Sequence, residues 1–287
     1  MVDARASGSS DEYPDVSVLL PTYRGDAPFE LERAIDSLID QTVPPAELFI
    51  IEDGPLTDDL ESVIAEKAEE FPTTARTYRI ERNQGLGNAL RTGVENCTHD
   101  IVARMDADDI SVPSRLERQL EFLVENPEVD IVGGQIEEFG SDPSDSIAVR
   151  RVPTCHEEIE RTAMFRSPMN HGTVMFRKQA ALDAGNYRPV ERMEDYDLWS
   201  RMFLDGATFA NLPEVLLKVS AGERMYSQRG GLTYAREEVR TQLEFYRRRF
   251  ISLPVFLFNV LSRTTLRLLP DRARESIYRA LARTPVD

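Results

Sequence analysis

Lysine is nearly absent from this chain: Lys67, Lys178 and Lys218 are the only three among 287 residues, so arginine carries almost all the positive charge. Acids outnumber bases enough to give a formal net charge of −16, which argues against nucleic acid as a partner for the body of the protein. An acidic, lysine-poor composition also fits a high-salt or high-GC source. Cysteine is equally scarce. Cys97 and Cys155 are too few for a disulfide framework or a metal cluster, as expected of a protein kept in a reducing interior. No apolar run approaches the roughly 18 residues of a membrane-spanning helix. The stretch from Met1 to Tyr13 is polar and Ser/Gly-rich with no apolar core, so it reads as a disordered lead-in (1–14) rather than a secretory signal. No Ser-His-Asp order, nucleophile elbow or His/Cys cluster appears, so nothing points to acyl transfer or zinc chemistry.

What remains is a soluble globular composition, 41% hydrophobic and 29% charged, of a length for one large domain or one domain plus an appendage. Val16 to Leu20 is an apolar, β-branched strand ending at Pro21-Thr22-Tyr23, and helical spacing follows from Phe29 to Ile39. The next strand, Leu48 to Ile51, ends in the acidic turn Glu52-Asp53-Gly54-Pro55. A helix (Asp58 to Glu70), a strand (Arg76 to Ile80) and a helix (Gly87 to Asn96) lead to the strand Ile101 to Arg104. Strand and helix thus alternate four times at short intervals, which predicts a parallel sheet covered by helices. Beyond it come a helix from Pro113 to Glu125, a strand from Val129 to Val132 running into Gly133-Gly134, and a strand from Thr173 to Phe176. Between Phe139 and Arg166 the alternation weakens to a strand or hairpin and a helix from Cys155. Glu194 opens a further helix, and Ala207 to Leu217 holds one or two short strands around Pro213.

Arg104-Met105-Asp106-Ala107-Asp108-Asp109 is the stretch around which the rest arranges itself. Three carboxylates within four residues at a strand end repel one another unless a cation sits between them. A hard divalent ion taking oxygen ligands is the natural guest. The bland alternative is that Asp109 or Ser111 caps the next helix and the other acids are solvated. Ligands of parallel sheets bind at the carboxyl ends of the strands, and Tyr23, Asp53 and Asp106 all lie at such ends, which favours the metal.

Other motifs are weaker alone. Gly85-Leu-Gly87 imitates a dinucleotide fingerprint but lacks its third glycine, with Leu90 in that place, and follows the third strand rather than the first. Asp53 is either turn chemistry or an acceptor for a base or ribose. Glu194-Asp195 is either helix-start chemistry or a general base beside a reacting hydroxyl. His171 lies in a polar turn, where a lone histidine is more often structural. The last forty residues reverse the charge: nine arginines against three acids over 247–287, around the apolar run Ile251 to Leu261. That reads as a membrane-surface element, the alternative being a helical pair packed on the core.

Taken together, these residues resemble the family-2 glycosyltransferases, over 16–220. The matching stretches are Val18-Leu-Leu-Pro-Thr-Tyr23, Ile51-Glu-Asp-Gly54, Asn83-Gln-Gly-Leu-Gly-Asn-Ala-Leu90, Arg104 to Ile110, and Glu194-Asp-Tyr-Asp-Leu-Trp199. Glu-Asp-Gly-Pro (52–55), Ser-Pro-Met-Asn-His (167–171) and Ala-Asn-Leu-Pro-Glu-Val-Leu (210–216) are similar to the amylovoran-type exopolysaccharide transferases. The resemblance implies a GT-A fold: a Rossmann-like α/β domain over 15–230 with a mixed, mostly parallel sheet between helices, and a helical appendage over 231–287. It implies an inverting transferase with a nucleotide-sugar donor, UDP-hexose by family habit, and a glycan or polyprenyl-phosphate-linked glycan acceptor. Such an enzyme would be cytoplasmic, on the inner face of the cell membrane, and would serve exopolysaccharide, surface polysaccharide or protein glycan assembly. Pro21, Thr22, Tyr23 and Asp53 match nucleotide-contacting positions, with Asn83, Gly85, Ala107, Glu194 and His171 further candidates for the substrate. Asp106 and Asp108 match the Asp-X-Asp pair that would hold Mg²⁺ or Mn²⁺, and Asp195 matches the catalytic base. Glu52 departs from the commoner aspartate. The Gln-X-X-Arg-Trp motif of processive synthases is absent, Ser227-Gln228-Arg229-Gly230 being no match, so single-sugar transfer is expected. Competing readings are a sugar nucleotidyltransferase, which would need a Gly-rich cationic loop near the N-terminus, and a degenerate membrane-associated scaffold.

Overall fold

Strand β1 (Val16–Thr22) is buried along its whole length, as an unbroken apolar sequence requires of a strand covered on both faces. In the computed structural model it lies between β2 (Glu47–Asp53) and β4 (Ile101–Arg104), parallel to both, and β3 (Thr74–Ile80) extends the sheet beyond β2. The structure describes residues 13–140, 142–190, 192–220, 232–268 and 284–285. Residues 1–12 of the expected lead-in, the Ser227 to Gly230 stretch, and Arg272, Arg274, Arg279 and Arg283 lie outside them.

Helices α1 (Pro28–Ile39), α2 (Asp58–Glu70) and α3 (Leu86–Asn96) make the crossovers. Their starts are written locally. Pro28 occupies the first turn of α1, and the Thr57 hydroxyl caps α2 by accepting from the Leu60 amide. Alternate residues of β1 serve opposite faces. Val18 and Leu20 pack with Leu31 and Ile35 on one side. Leu19 packs with Phe49, Leu90 and Trp199 on the other.

After β4 the chain runs through β5 (Ile110–Ser111), α4 (Arg115–Glu125), β6 (Ile131–Phe139), β7 (Ser146–Arg150) and α5 (His156–Ala163). A 3₁₀ turn (His171–Thr173), β8 (Met175–Arg177), α6 (Lys178–Asp183), α7 (Glu194–Leu204) and β9 (Phe209–Ser220) follow. Helices α8 (Leu232–Arg247) and α9 (Leu253–Leu268) and a short β10 (Thr284–Pro285) close the described chain. The sheet order is β10-β7-β6-β8-β4-β1-β2-β3, with β9 beside β6 and β5 beside β9. It is mixed: β8 runs antiparallel to β4 and β6, while β6 and β9 are parallel.

Four local expectations shift. Helix α4 begins at Arg115, because Pro113 sits in the preceding turn with its carbonyl accepting from the Thr42 amide at 2.8 Å. The strand expected from Thr173 begins at Met175, the residues before it forming the 3₁₀ turn. Strand β6 runs straight through Gly133-Gly134, where a Cβ on Gly133 would meet Asn211 Oδ1 at 2.5 Å. The pieces around Pro213 are one strand, β9. Gly133 pairs with Asn211 and Gln135 with Val215, so Pro213 falls in a register shift where its missing amide costs no ladder bond. Helices α8 and α9 are a pair packed on the core: Tyr196 of α7 meets Phe245 edge-on at 4.7 Å, and Asn259 donates to the Met164 carbonyl and to Gln242, both at 2.8 Å.

Candidate active site

The parallel strands β1, β2 and β4 deliver their carboxyl ends to one edge of the sheet. At the end of β2, the buried Asp53 carboxylate accepts from the backbone amides of Gln84 (2.7 Å) and Gly85 (2.9 Å), while Asn83 Nδ2 donates to the Asp53 carbonyl at 3.2 Å. Asp53 thereby fixes the loop that opens α3. That loop needs two glycines. Gly54 holds φ 91°, and a Cβ there would lie 2.6 Å from the Asn83 nitrogen. Gly85, at φ 87° and ψ 159°, occupies a region essentially closed to other residues. Glu52 beside it is committed elsewhere, paired with Arg79, which also binds Glu61. Its departure from aspartate is therefore accounted for by a cross-strand ion pair.

At the end of β1, Pro21 and Thr22 are buried and Tyr23 is exposed. The Thr22 hydroxyl and the Tyr23 amide both donate to Asp26 Oδ2, at 2.9 and 3.0 Å. Burial raises the Asp26 pKa against those two hydrogen bonds, and Asp106 adds to the rise. Asp26 and, in the first turn of α1, Glu30 extend the acidic surface toward Asp106 and Asp108.

Arg104, almost wholly buried, is ion-paired with Asp106. Gly172 makes room behind it: a Cβ there would sit 2.6 Å from Asp109 Oδ2 and 3.4 Å from Arg104 Nη1. Asp108 reaches solvent at the mouth of the concavity, whose walls strip away enough water to push its carboxyl up to about 6, helped by Asp106 and Glu30. Asp109 is no helix cap. It is buried, raised well above the ordinary carboxylate range by that burial and by Asp106 and Asp108, and balanced by Arg104 and Arg115. Arg115, fully buried, donates to the Arg104 carbonyl at 2.6 Å and to Gln119 at 3.1 Å. Ala107 turns its methyl into the core, leaving only main chain for a ligand. Among the described residues no three His, Cys, Asp or Glu side chains gather closely enough to hold an ion unaided. Asp108 with Asp106 supplies one or two hard oxygen ligands, a fit for a divalent ion that completes its shell with phosphate oxygens and water.

Glu194 and Asp195 begin α7, where the helix dipole favours acids. Burial pushes the Glu194 carboxyl up to about 7, with the Asp195 charge adding to it. Asp195, half-buried, is raised by burial too, against the Tyr196 amide and the Ser167 hydroxyl, which donates to Oδ2 at 3.1 Å. His171 lies behind this pair. Its Nε2 is 2.9 Å from the Tyr187 hydroxyl, its Nδ1 4.0 Å from Glu194 Oε1, and burial together with the Arg104 charge keeps it neutral. Gly87 closes the circuit. A Cβ there would run into the Arg188 carbonyl oxygen and lie 3.4 Å from Glu194 Cβ, so the loop that Asp53 holds abuts the start of α7.

The structure thus brings Asp106, Asp108, Glu194, Asp195 and His171 around Arg104, with Tyr23 and Asp53 at neighbouring strand ends. Asn83 and Gly85 shape the loop between Asp53 and α3. Sequence reasoning missed Asp26, Glu30, Arg104, Arg115, Ser167 and Tyr187 as parts of the site. Arg104, a charge at the end of an otherwise apolar strand, and Ser167, within the Ser-Pro-Met-Asn-His block, carried a signal.

Residues 17–185 match the family described as Glycosyl transferase family 2. The chain is 36% identical over 274 residues to the UDP-Gal:alpha-D-GlcNAc-diphosphoundecaprenol beta-1,3-galactosyltransferase of Escherichia coli, covering 96% of this chain and 98% of that one. It is 37% identical to the amylovoran biosynthesis glycosyltransferase AmsE of Erwinia amylovora, covering 91% and 97%. Among solved structures, the mannosyltransferase PcManGT from Pyrobaculum calidifontis, in complex with GDP-Man and Mn²⁺, shares the fold with a TM-score of 0.63 at 18% identity, over 95% of this chain and 77% of that one. S. aureus TarS in complex with UDP-GlcNAc does so with a TM-score of 0.62 at 17% identity, over 93% and 73%. The fold is of the GT-A type.

Proposed function

The chain belongs to glycosyl transferase family 2, and from that premise we propose that it is an inverting, divalent-metal-dependent hexosyltransferase. It moves one sugar from a UDP-hexose to a glycan carried on a polyprenyl phosphate lipid, at the inner face of the cell membrane. The observation that carries this reading is the place of Arg104. One buried cation is set against Asp106 on the donor side and within electrostatic reach of Glu194 and Asp195 on the acceptor side. A transferase needs those two sides a bond length apart in the reaction, and a shared cation lets both be acidic.

On the donor side, Pro21, Thr22, Tyr23 and Asp53 hold the nucleoside. The Asp53 oxygens, each already taking one backbone amide, keep a lone pair for a base or ribose donor. Asp106 faces the ribose, and Asp108 takes the ion. When bound there, Mg²⁺ or Mn²⁺ would neutralise the diphosphate and ease its departure. On the acceptor side, Ser167 orients the Asp195 carboxylate. Asp195 takes the proton of the acceptor hydroxyl as its oxygen attacks the anomeric carbon opposite the leaving UDP, which inverts that centre. Glu194, His171 and Tyr187 form the wall behind it.

The E. coli relative's name supports a UDP-galactose donor and a diphosphoundecaprenol-linked acceptor as the first pair to test. UDP release is measured from UDP-galactose, UDP-glucose, GDP-mannose and TDP-glucose, with and without Mn²⁺ and a GlcNAc-diphosphoprenol acceptor. Release from a UDP-hexose that needs both metal and acceptor is expected. Release indifferent to acceptor, or sugar-nucleotide synthesis from UTP and a sugar phosphate, would overturn the reading.

A further inference from the structure

We propose that the outer face of α9, with the α8–α9 turn, is a docking surface for an anionic lipid bilayer. The inner face of α9 is fully used. Val255 and Phe256 pack on the Tyr196, Phe245 and Ile251 cluster, Asn259 is buried against Gln242 and the Met164 carbonyl, and Arg263 pairs with Glu238. The opposite face is apolar and bare. Leu253, Leu257 and Leu261 follow one another at helical spacing, with relative exposures of 48%, 57% and 73%, and Phe258 beside them is 60% exposed. Phe165, from the end of α5, continues the patch, edge-on to Phe258 at 6.1 Å. A contiguous stripe of this kind on a soluble chain marks a contact surface. Among the described residues no helix is long and apolar enough to cross a membrane, so the stripe suits a helix lying in the interface.

Charge says which contact. The protein as a whole carries −16, yet residues 247–287 hold nine arginines against three acids. Arg248 and Arg263 are consumed internally by Asp197 and Glu238. Arg247 and Arg249 instead reach solvent at the start of α9, around an open concavity of about 500 Å³ lined by Tyr246, Ile251 and Ser252 as well. The Arg247 pair with Glu244 is exposed and worth little. Arg249 holds φ 62° in the turn after α8, a left-handed backbone that glycine would adopt without strain. An arginine kept there despite the strain points to use of its charge. Lipid phosphates satisfy both arginines while acyl chains cover the leucines. The acidic remainder of the protein is repelled from such a surface, so only this face can approach it. Docking also fixes the approach to the site, since α8 grips the base-bearing helix through Arg248–Asp197 (2.7 Å) and Phe245–Tyr196.

The proposal extends the reading of a lipid-borne acceptor, and its test needs no lipid-borne acceptor. The full chain is sedimented with phosphatidylcholine vesicles, with and without phosphatidylglycerol. Binding to the anionic vesicles that weakens with salt is expected. Leu257→Glu with Phe258→Glu, and separately Arg247→Glu with Arg249→Glu, should each lower partitioning about tenfold or more, with unchanged circular dichroism and urea midpoint. UDP release toward a short water-soluble acceptor should stay at the wild-type level in both variants, which separates failure of docking from failure of the transferase reading. Unchanged partitioning overturns the proposal. So does a dimer that the apolar substitutions split without altering partitioning, since the face would then serve a second copy.

Discussion

Arg104 and Asp106 form an ion pair at the exit of β4, with the guanidinium buried and the carboxylate partly open to solvent. A buried arginine loses hydration and is held charged by what surrounds it. Here that company is Asp106, Asp109, the Tyr187 hydroxyl and Glu194. The strand therefore ends in a cation that lets acids from the turn after β4 and from the start of α7 share one concavity.

Removing that charge should be costly. Arg104→Met leaves Asp109 buried with only Arg115 opposite, and breaking a buried pair typically costs about 3–5 kcal/mol. A urea midpoint lowered accordingly is expected. Arg104→Lys, which keeps the charge but not the planar fork, should recover stability more than it recovers turnover.

The Glu194–Asp195 pair supplies a pH test with two opposite signs. The Glu194 carboxyl lies at about 7 against an ordinary 4.5, and Asp195 is raised as well, both chiefly by burial. The proposed base, Asp195, must be deprotonated and burial raises its carboxyl, so kcat/KM should rise with pH above the ordinary carboxylate range. The folded state binds the Glu194 proton more tightly than the unfolded chain. Its stabilising contribution is thus complete below about 4.5 and lost as pH rises through about 7. Glu194→Gln should be more stable than wild type at pH above 7, by about 1 kcal/mol or more, and the gap should close toward acid in paired urea titrations.

Asp195→Asn should keep donor affinity while transfer falls about 10²–10⁴-fold, the usual worth of general-base help. Asp108→Ala should do the reverse. UDP titrated calorimetrically in the presence of Mn²⁺ should bind it at least about tenfold more weakly than wild type, with little difference in the absence of metal.

Much of this was legible in the sequence, and the limits are physical. The four β-α alternations set the parallel half of the sheet, because apolar runs between acidic turns allow little else. Asp106 and Asp108 stand out because clustered acids at a strand end are a local pattern, whereas Asp53 and Asp195 are equally well explained as turn and helix-start chemistry and are singled out by the family resemblance. The partners of those acids are not local. Ser167 meets Asp195 across 28 positions, and Tyr187 and Glu194 reach Arg104 from far along the chain, although Asp106 and Asp109 are near it in sequence. Strand β9 looked broken because Pro213 ends strands in isolation, whereas a register shift against β6 accommodates it. Asp109 looked like a cap because the buried Arg104 and Arg115 beneath it are invisible to spacing.

Two glycines two residues apart should respond differently. A methyl at Gly87 runs into the Arg188 carbonyl, which is backbone and cannot swing away, and crowds Glu194. Overpacking there should cost about 1–3 kcal/mol and lower kcat by displacing the start of α7. At Gly85 nothing lies within 4 Å of an added Cβ, so Ala meets only backbone strain, about 1–3 kcal/mol. That strain should act on the amide presented to Asp53, so Gly85→Ala should raise KM for the donor and leave kcat near wild type.

The α7–α8 clamp is the last point to test. Asp197, buried, accepts from Arg201 Nε at 3.0 Å within its own helix and from Arg248 Nη1 at 2.7 Å across the interface. Asp197→Ala strands both cations, and loss of one member of a buried pair should cost about 3–5 kcal/mol. Arg248 is partly exposed, so Arg248→Ala should cost less, while still loosening the grip on the helix that carries Asp195. If the clamp serves only stability, kcat on a water-soluble acceptor will match wild type once folding is corrected for. If it also sets the base, Arg248→Ala will lower kcat with little change in KM for UDP-hexose, and Arg248→Lys will restore part of it.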